Sequence, residues 1–210
     1  MRTTAATLSI LLSGVLLCGS AWAGLAADGN AYVDSEGFAW HGSTDFIGAG
    51  LNEGLSATVE WCVYGPGDYP GTDYVADADE FVYAYQVFVA AGSAQVTKLS
   101  VGMLDSNEAN DIGADETLVS GTAPSSAFFT NPPPNLDTAN WLWSSGLAAD
   151  THSRGLVYSS VNAPLLFIGT VHDGGKQVAG DLPSPSDVIP EPATLGLMAA
   201  GLLGLLRRRR

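Results

Sequence analysis

The densest run of oxygen ligands in the chain lies between Asp105 and Glu116, where Asp105, Asn107, Glu108, Asn110, Asp111, Asp115 and Glu116 crowd together. Carboxylate and amide oxygens at such spacing suit a hard cation, calcium above all. Set against the EF-hand loop, Asp105, Asn107 and Glu116 fall at positions one, three and twelve. Position five is Ala109, and position six is Asn110, where the sharp turn needs glycine. The flanking segments also read as strands, not helices, which excludes an EF-hand. The candidate that remains is a calcium site of another geometry, built from Asp105, Asn107, Asp111 and Asp115. The plainer reading of the same residues is a solvated acidic hairpin loop. Asp73, Asp77, Asp79 and Glu80 make a second acidic loop.

Other chemistry has thinner support. His41, His152 and His172 form no His-x-x-x-His or Cys-x-x-Cys pattern, so no zinc site is expected. His172 precedes Asp173, yet no Gly-x-Ser-x-Gly elbow accompanies the pair. Carboxylate pairs for glycoside hydrolysis arise by chance among 22 acidic residues, so they carry little weight. Trp40, Trp61, Trp141 and Trp143 could stack on sugar rings, but core packing is the commoner use of tryptophan. Cys62 lies on a strand opposite the apolar face and is expected to be half-buried and inert. No catalytic residue is assigned.

These residues are carried on elements with period-two alternation. In 55–64, Leu55, Ala57, Val59, Trp61 and Val63 share one face. In 81–89, both faces are apolar, as expected of a central, doubly covered strand. Thr97, Leu99, Val101 and Met103 share a face of 96–104. Shorter strands are expected at 31–33, 116–120, 127–130, 141–143, 156–161 and 165–171. Asn162 to Pro164 and Asp173 to Gly175 supply turn chemistry, and the prolines of 131–135 a polyproline turn. The pattern predicts an all-β fold, an antiparallel β-sandwich or jelly-roll-like single domain over 24–178. A Pro- and Ser-rich stem is expected over 179–187.

The two ends are different in kind. Residues 1–23 read as a secretory signal peptide: Arg2 supplies the positive region, 8–17 the apolar core, and Ala21 and Ala23 the small-residue cleavage site. Cys18 leaves with it, so Cys62 stands alone and no internal disulfide is available. At the other end, Pro190, Glu191 and Pro192 hold the chain extended, in the form a protease groove accepts. An uncharged run over 193–206 follows, about 21 Å long as a helix and short for a ~30 Å hydrocarbon core. Arg207, Arg208, Arg209 and Arg210 can lengthen it by snorkelling and hold that end cytoplasmic. Gly196, Ala200 and Gly204 repeat every four residues, a stripe suited to close helix packing.

The tripeptide, the glycine-bearing apolar run and the four arginines resemble the PEP-CTERM sorting signal, also labelled an ice-binding protein C-terminal domain. The resemblance covers 188–210. It implies export through the Sec translocon and a transient inner-membrane anchor. Processing near Pro190 to Pro192 by an exosortase-like membrane enzyme follows, with delivery to the cell surface or extracellular matrix of a Gram-negative bacterium.

Charge narrows the body's partners. The chain carries a net charge of −14, but five of its eight basic residues lie in the two targeting ends. Between Gly24 and Glu191 only Lys98, Arg154 and Lys176 oppose all 22 acids, a net −19. Such a surface repels phosphate backbones and excludes nucleic acid as a partner. The expectation is a non-enzymatic envelope or biofilm-matrix protein that contacts exopolysaccharide. The alternatives are a carbohydrate-active hydrolase and a calcium-stabilised adhesion module, each on the same sandwich.

Overall fold

The computed structural model describes residues 24–103, 109–130 and 137–186. The signal peptide with Ala21 and Ala23, the 131–135 turn, and the tail with Pro190, Glu191, Pro192 and Arg207 to Arg210 lie outside the described residues.

Among the described residues ten strands run in order: β1 (His41–Ile47), β2 (Ser56–Tyr64), β3 (Phe81–Val89), β4 (Val96–Met103), β5 (Asn110–Asp115), β6 (Ser126–Thr130), β7 (Asp137–Leu147), β8 (Gly155–Ser160), β9 (Pro164–His172) and β10 (Gln177–Pro185). They form two five-stranded antiparallel sheets, β1-β2-β3-β8-β5 and β10-β9-β4-β7-β6. The protein is all-β. Both sheets supply one core: Phe46, Val59, Tyr85, Leu156 and Tyr158 from the first, Leu99, Val101, Trp141, Val171 and Leu182 from the second. Each large apolar side chain so buried stabilises by about 1.5–3 kcal/mol relative to exposure.

The alternation in β2 and β4 places residues as their sequence demands. Ala57, Val59, Trp61 and Val63 enter the core, as do Leu99, Val101 and Met103. β3 is covered on both sides. Tyr83, Tyr85, Val87 and Val89 face the main core, while Val82 and Ala84 join a second cluster with Leu25, Cys62, Tyr64, Tyr74 and Val157. That second cluster exists because 24–40 and 65–80 fold over the outer face of the first sheet. Tyr64 donates a 2.6 Å hydrogen bond to Asp28 Oδ2, and Tyr74 donates one of 2.6 Å to the Asp111 carbonyl. The outer face of the second sheet instead exposes Phe128, Leu166 and Ile168.

Four segments differ from expectation. Residues 31–33 contribute only an isolated bridge, Val33 to Ala39, and 116–120 form a turn after β5. Asn110–Asp115, expected within an acidic loop, is strand β5, paired with β8. Most of the expected stem is strand β10, paired with β9 over nine positions from Gln177↔His172 to Pro185↔Pro164. Proline removes a ladder donor and is tolerated at a sheet edge. β10 is an edge strand, so Pro183 and Pro185 fit there. Its other contacts are those of a body strand. Thr44 Oγ1 donates to the Asp181 carbonyl at 2.7 Å, and Ser184 Oγ to the Gly102 carbonyl at 2.7 Å. Gly180 passes so close to β1 that a Cβ there would lie 2.9 Å from Thr44 Cγ2 and 3.1 Å from Phe46 Cε1.

Candidate functional site

Asp115 ends β5 with its carboxylate fully buried. Its Oδ1 accepts from Thr117 N at 2.7 Å, Thr117 Oγ1 at 2.6 Å and Leu118 N at 3.0 Å. Its Oδ2 accepts from the Tyr69 hydroxyl at 2.9 Å, Asp73 N at 3.2 Å and Tyr74 N at 3.1 Å. Burial alone would raise its pKa. The hydrogen bonds from Thr117, Tyr69, Leu118 and Tyr74 overcome that and hold the carboxyl below its usual range. Six donors use up the lone pairs that a cation would need. In this conformation Asp115 fastens the 65–80 loop and the turn at Thr117 to the end of β5.

The other members of the acidic run are dispersed. Asp111 is the extra residue of a bulge between Asn110 and Ile112, with φ of 38° and an exposed side chain. Glu116 pairs with Arg154 at 2.6 Å on the surface. Asp105 and Asn107 lie outside the described residues. In the second acidic loop, Glu80 is buried and accepts from Asn110 Nδ2 at 2.6 Å and Asp77 N at 3.3 Å. Among the described residues no group of three or more His, Cys, Asp or Glu side chains is placed to hold a metal ion.

The tryptophans are structural. Trp61, Trp141 and Trp143 are buried, and Trp40 packs against the same core. Trp141 Nε1 donates to the Gly113 carbonyl at 2.7 Å, and Trp40 Nε1 to Asp34 Oδ2 at 3.1 Å. Cys62 is fully buried rather than half-buried, because 24–40 and 65–80 cover its face. Desolvation pushes its thiol up to about 12. Burial likewise raises Tyr64, Tyr69, Tyr74 and Tyr85 above the ordinary phenol range.

His172 and Asp173 do not form a relay. The Asp173 carboxylate turns into its own turn and accepts from Gly175 N at 2.9 Å and Lys176 N at 2.6 Å. His172 Nε2 lies 2.9 Å from Thr170 Oγ1. Partial burial first, and the nearby Lys98 ammonium second, lower the imidazole pKa to about 4. It is therefore neutral at physiological pH.

His172 lines an open cleft of about 560 Å³. Antiparallel pairing of β4 with β9 sets Lys98 opposite His172, and pairing with β7 sets it opposite Leu142. The β9–β10 turn brings Lys176 and Gln177 to the rim, and β6 and β7 add Ser125, Ser126 and Ser144. No signal in the sequence joins these residues, since they come from several strands and turns far apart in the chain.

Residues 188–210 match the family model of the PEP-CTERM protein-sorting motif. The chain carries a PEP-CTERM sorting motif. No curated protein and no solved structure matches it. The PEP-CTERM motif indicates an exosortase-sorted protein, exported with a C-terminal membrane-anchored sorting tail, and implies an exosortase-type processing partner. Among the described residues no helix is long and apolar enough to cross a membrane, and the motif itself lies outside them.

Proposed function

We propose that this PEP-CTERM chain is a non-enzymatic surface or biofilm-matrix component. Its signal peptide is removed after Ala23. Its tail is processed at Pro190 to Pro192, and its body, a β-sandwich with jelly-roll-like winding, contacts exopolysaccharide. The sorting motif over 188–210 carries the reading. The carboxylates with a resolved shift are committed to the fold. A general acid at neutral pH needs a raised carboxyl pKa. Among the described carboxylates with a resolved shift, Asp34, Asp115 and Asp173 are all lowered, each by hydrogen bonds from neighbouring amides or side chains. The raised groups are buried tyrosines and Cys62, committed to packing.

The test is fractionation of the native host with and without its exosortase. The reading expects the body at the surface or in the matrix of the parent strain. Without the enzyme it should stay in the inner membrane with its tail attached. Delivery that does not depend on the enzyme would refute the sorting step. Release of reducing ends from the host's own polysaccharide by the purified protein would refute the non-enzymatic role.

A further inference from the structure

We propose that the cleft between Lys98 and Lys176 binds a carboxylate-bearing glycan. The body holds three basic residues against 22 acids. Arg154 is spent on Glu116 at 2.6 Å. The other two cations, Lys98 on β4 and Lys176 in the β9–β10 turn, both line this cleft. The Lys98 side chain makes no hydrogen bond or ion pair among the described residues. Lys176 Nζ donates to the Glu53 carbonyl at 2.6 Å, a neutral partner, and forms no salt bridge among the described residues. Its charge helps lower the Asp173 carboxyl, but that carboxylate is bonded to its own turn amides. On a surface that otherwise repels anions, this is where an anionic chain can approach.

The remaining lining suits sugar. Ser126 presents a hydroxyl that can donate or accept. Thr97 Oγ1, which donates to the His172 carbonyl, and Ser144 Oγ, paired with Ser125 Oγ, keep lone pairs that can accept. The volume of about 560 Å³ lies in the usual range of small-ligand sites, roughly 300–1,000 Å³, so a short stretch of glycan fits. Lysine ammoniums act as point charges, and a single carboxylate per residue matches them without a bidentate fork. Position agrees as well. The cleft lies at the Gln177 end of β10, while the chain leaves towards the sorting motif from the Pro185 end. Nine strand residues separate the two by about 30 Å. The cleft therefore lies away from the end that the sorting enzyme handles. The proposal deepens the matrix reading and rests on it only for where the glycan is met.

The experiment is affinity electrophoresis of the full chain in detergent through gels containing polyuronate or neutral dextran. Retardation by polyuronate but not dextran is expected, weakening with salt. Lys98→Gln together with Lys176→Gln should weaken it at least tenfold, with an unchanged melting temperature. Arg154→Gln should leave it intact. The arginine tail is present in every variant, so retardation that survives undiminished in the double variant comes from the tail and overturns the proposal. Equal retardation by dextran, or stronger retardation by inorganic polyphosphate than by polyuronate, also overturns it. If the double variant melts early, Lys98→Gln alone must give the loss. A wrong sorting reading would appear in the processed mass and would leave these gels unchanged.

Discussion

Tyr85, at the centre of β3, donates its phenolic hydrogen across the core to the carbonyl oxygen of Pro183 in β10. The same hydroxyl lies 3.0 Å from that of Tyr158. One buried side chain thus ties the middle of the first sheet to the edge of the second, in a strand whose composition reads as a linker. Tyr85→Phe keeps the ring and its packing but leaves a buried carbonyl without this donor. The expected cost is about 1–3 kcal/mol, read as a lower urea midpoint with an unchanged m-value.

If β10 belongs to the body, the place where the chain is cut decides whether it folds. A chain over 24–186 should unfold cooperatively. A chain over 24–178 loses Leu182 from the core, worth about 1.5–3 kcal/mol. It also loses the hydrogen bonds of Tyr85, Thr44 and Ser184, each about 0.5–1.5 kcal/mol. Together these approach the whole stability of an ordinary domain, about 5–15 kcal/mol. Circular dichroism melts of the two chains check this, and equal melting temperatures would return 179–185 to the status of a spacer.

The elements that were hard to read share a cause. β3 was legible because both its faces are apolar, and β2 because five core residues alternate. β1 has one fully buried core residue, Phe46, so no alternation shows. β10 mixes Gly180, Ser184, Pro183 and Pro185 with only two large apolar residues, Val178 and Leu182. It becomes a strand only because β9 supplies the ladder and Tyr85 and Thr44 reach its carbonyls, partners more than 90 positions away. Asp115 stood out in the sequence as a ligand-bearing residue, and its carboxylate is saturated. Its donors are the protein's own amides and hydroxyls, brought from 69–74 by a loop whose course local pattern does not reveal. Lys98, His172 and Lys176 converge through cross-strand register and carry no local signature.

Asp115 predicts a pH dependence. Its folded pKa is depressed, so its stabilisation is complete above the unfolded value of about 3.9. It is lost as pH falls through the lower folded value. Over that window the unfolded state binds more protons, and stability rises with pH. Asp115→Asn should flatten the stability curve below about pH 4. At pH 7 it should cost about 1.5–3 kcal/mol, the scale of a hydrogen bond to a charged group. Urea melts from pH 3 to pH 7 of both proteins check it.

Cys62 predicts a silent thiol. Full burial and a pKa pushed up to about 12 leave almost no thiolate at pH 8. The folded body should not react with a thiol reagent, and in urea one thiol should titrate at the rate of unfolding. Rapid reaction of the native protein would mean that 24–40 and 65–80 do not cover this face.

The central claim is that the body is exported and its tail is read by an exosortase-type enzyme. The most direct test is the intact mass of the protein recovered from its own host. The account predicts a chain that begins at Gly24 and ends between Pro190 and Pro192, with or without an added group. A mass that retains 193–210 would contradict it and make the tail a permanent anchor.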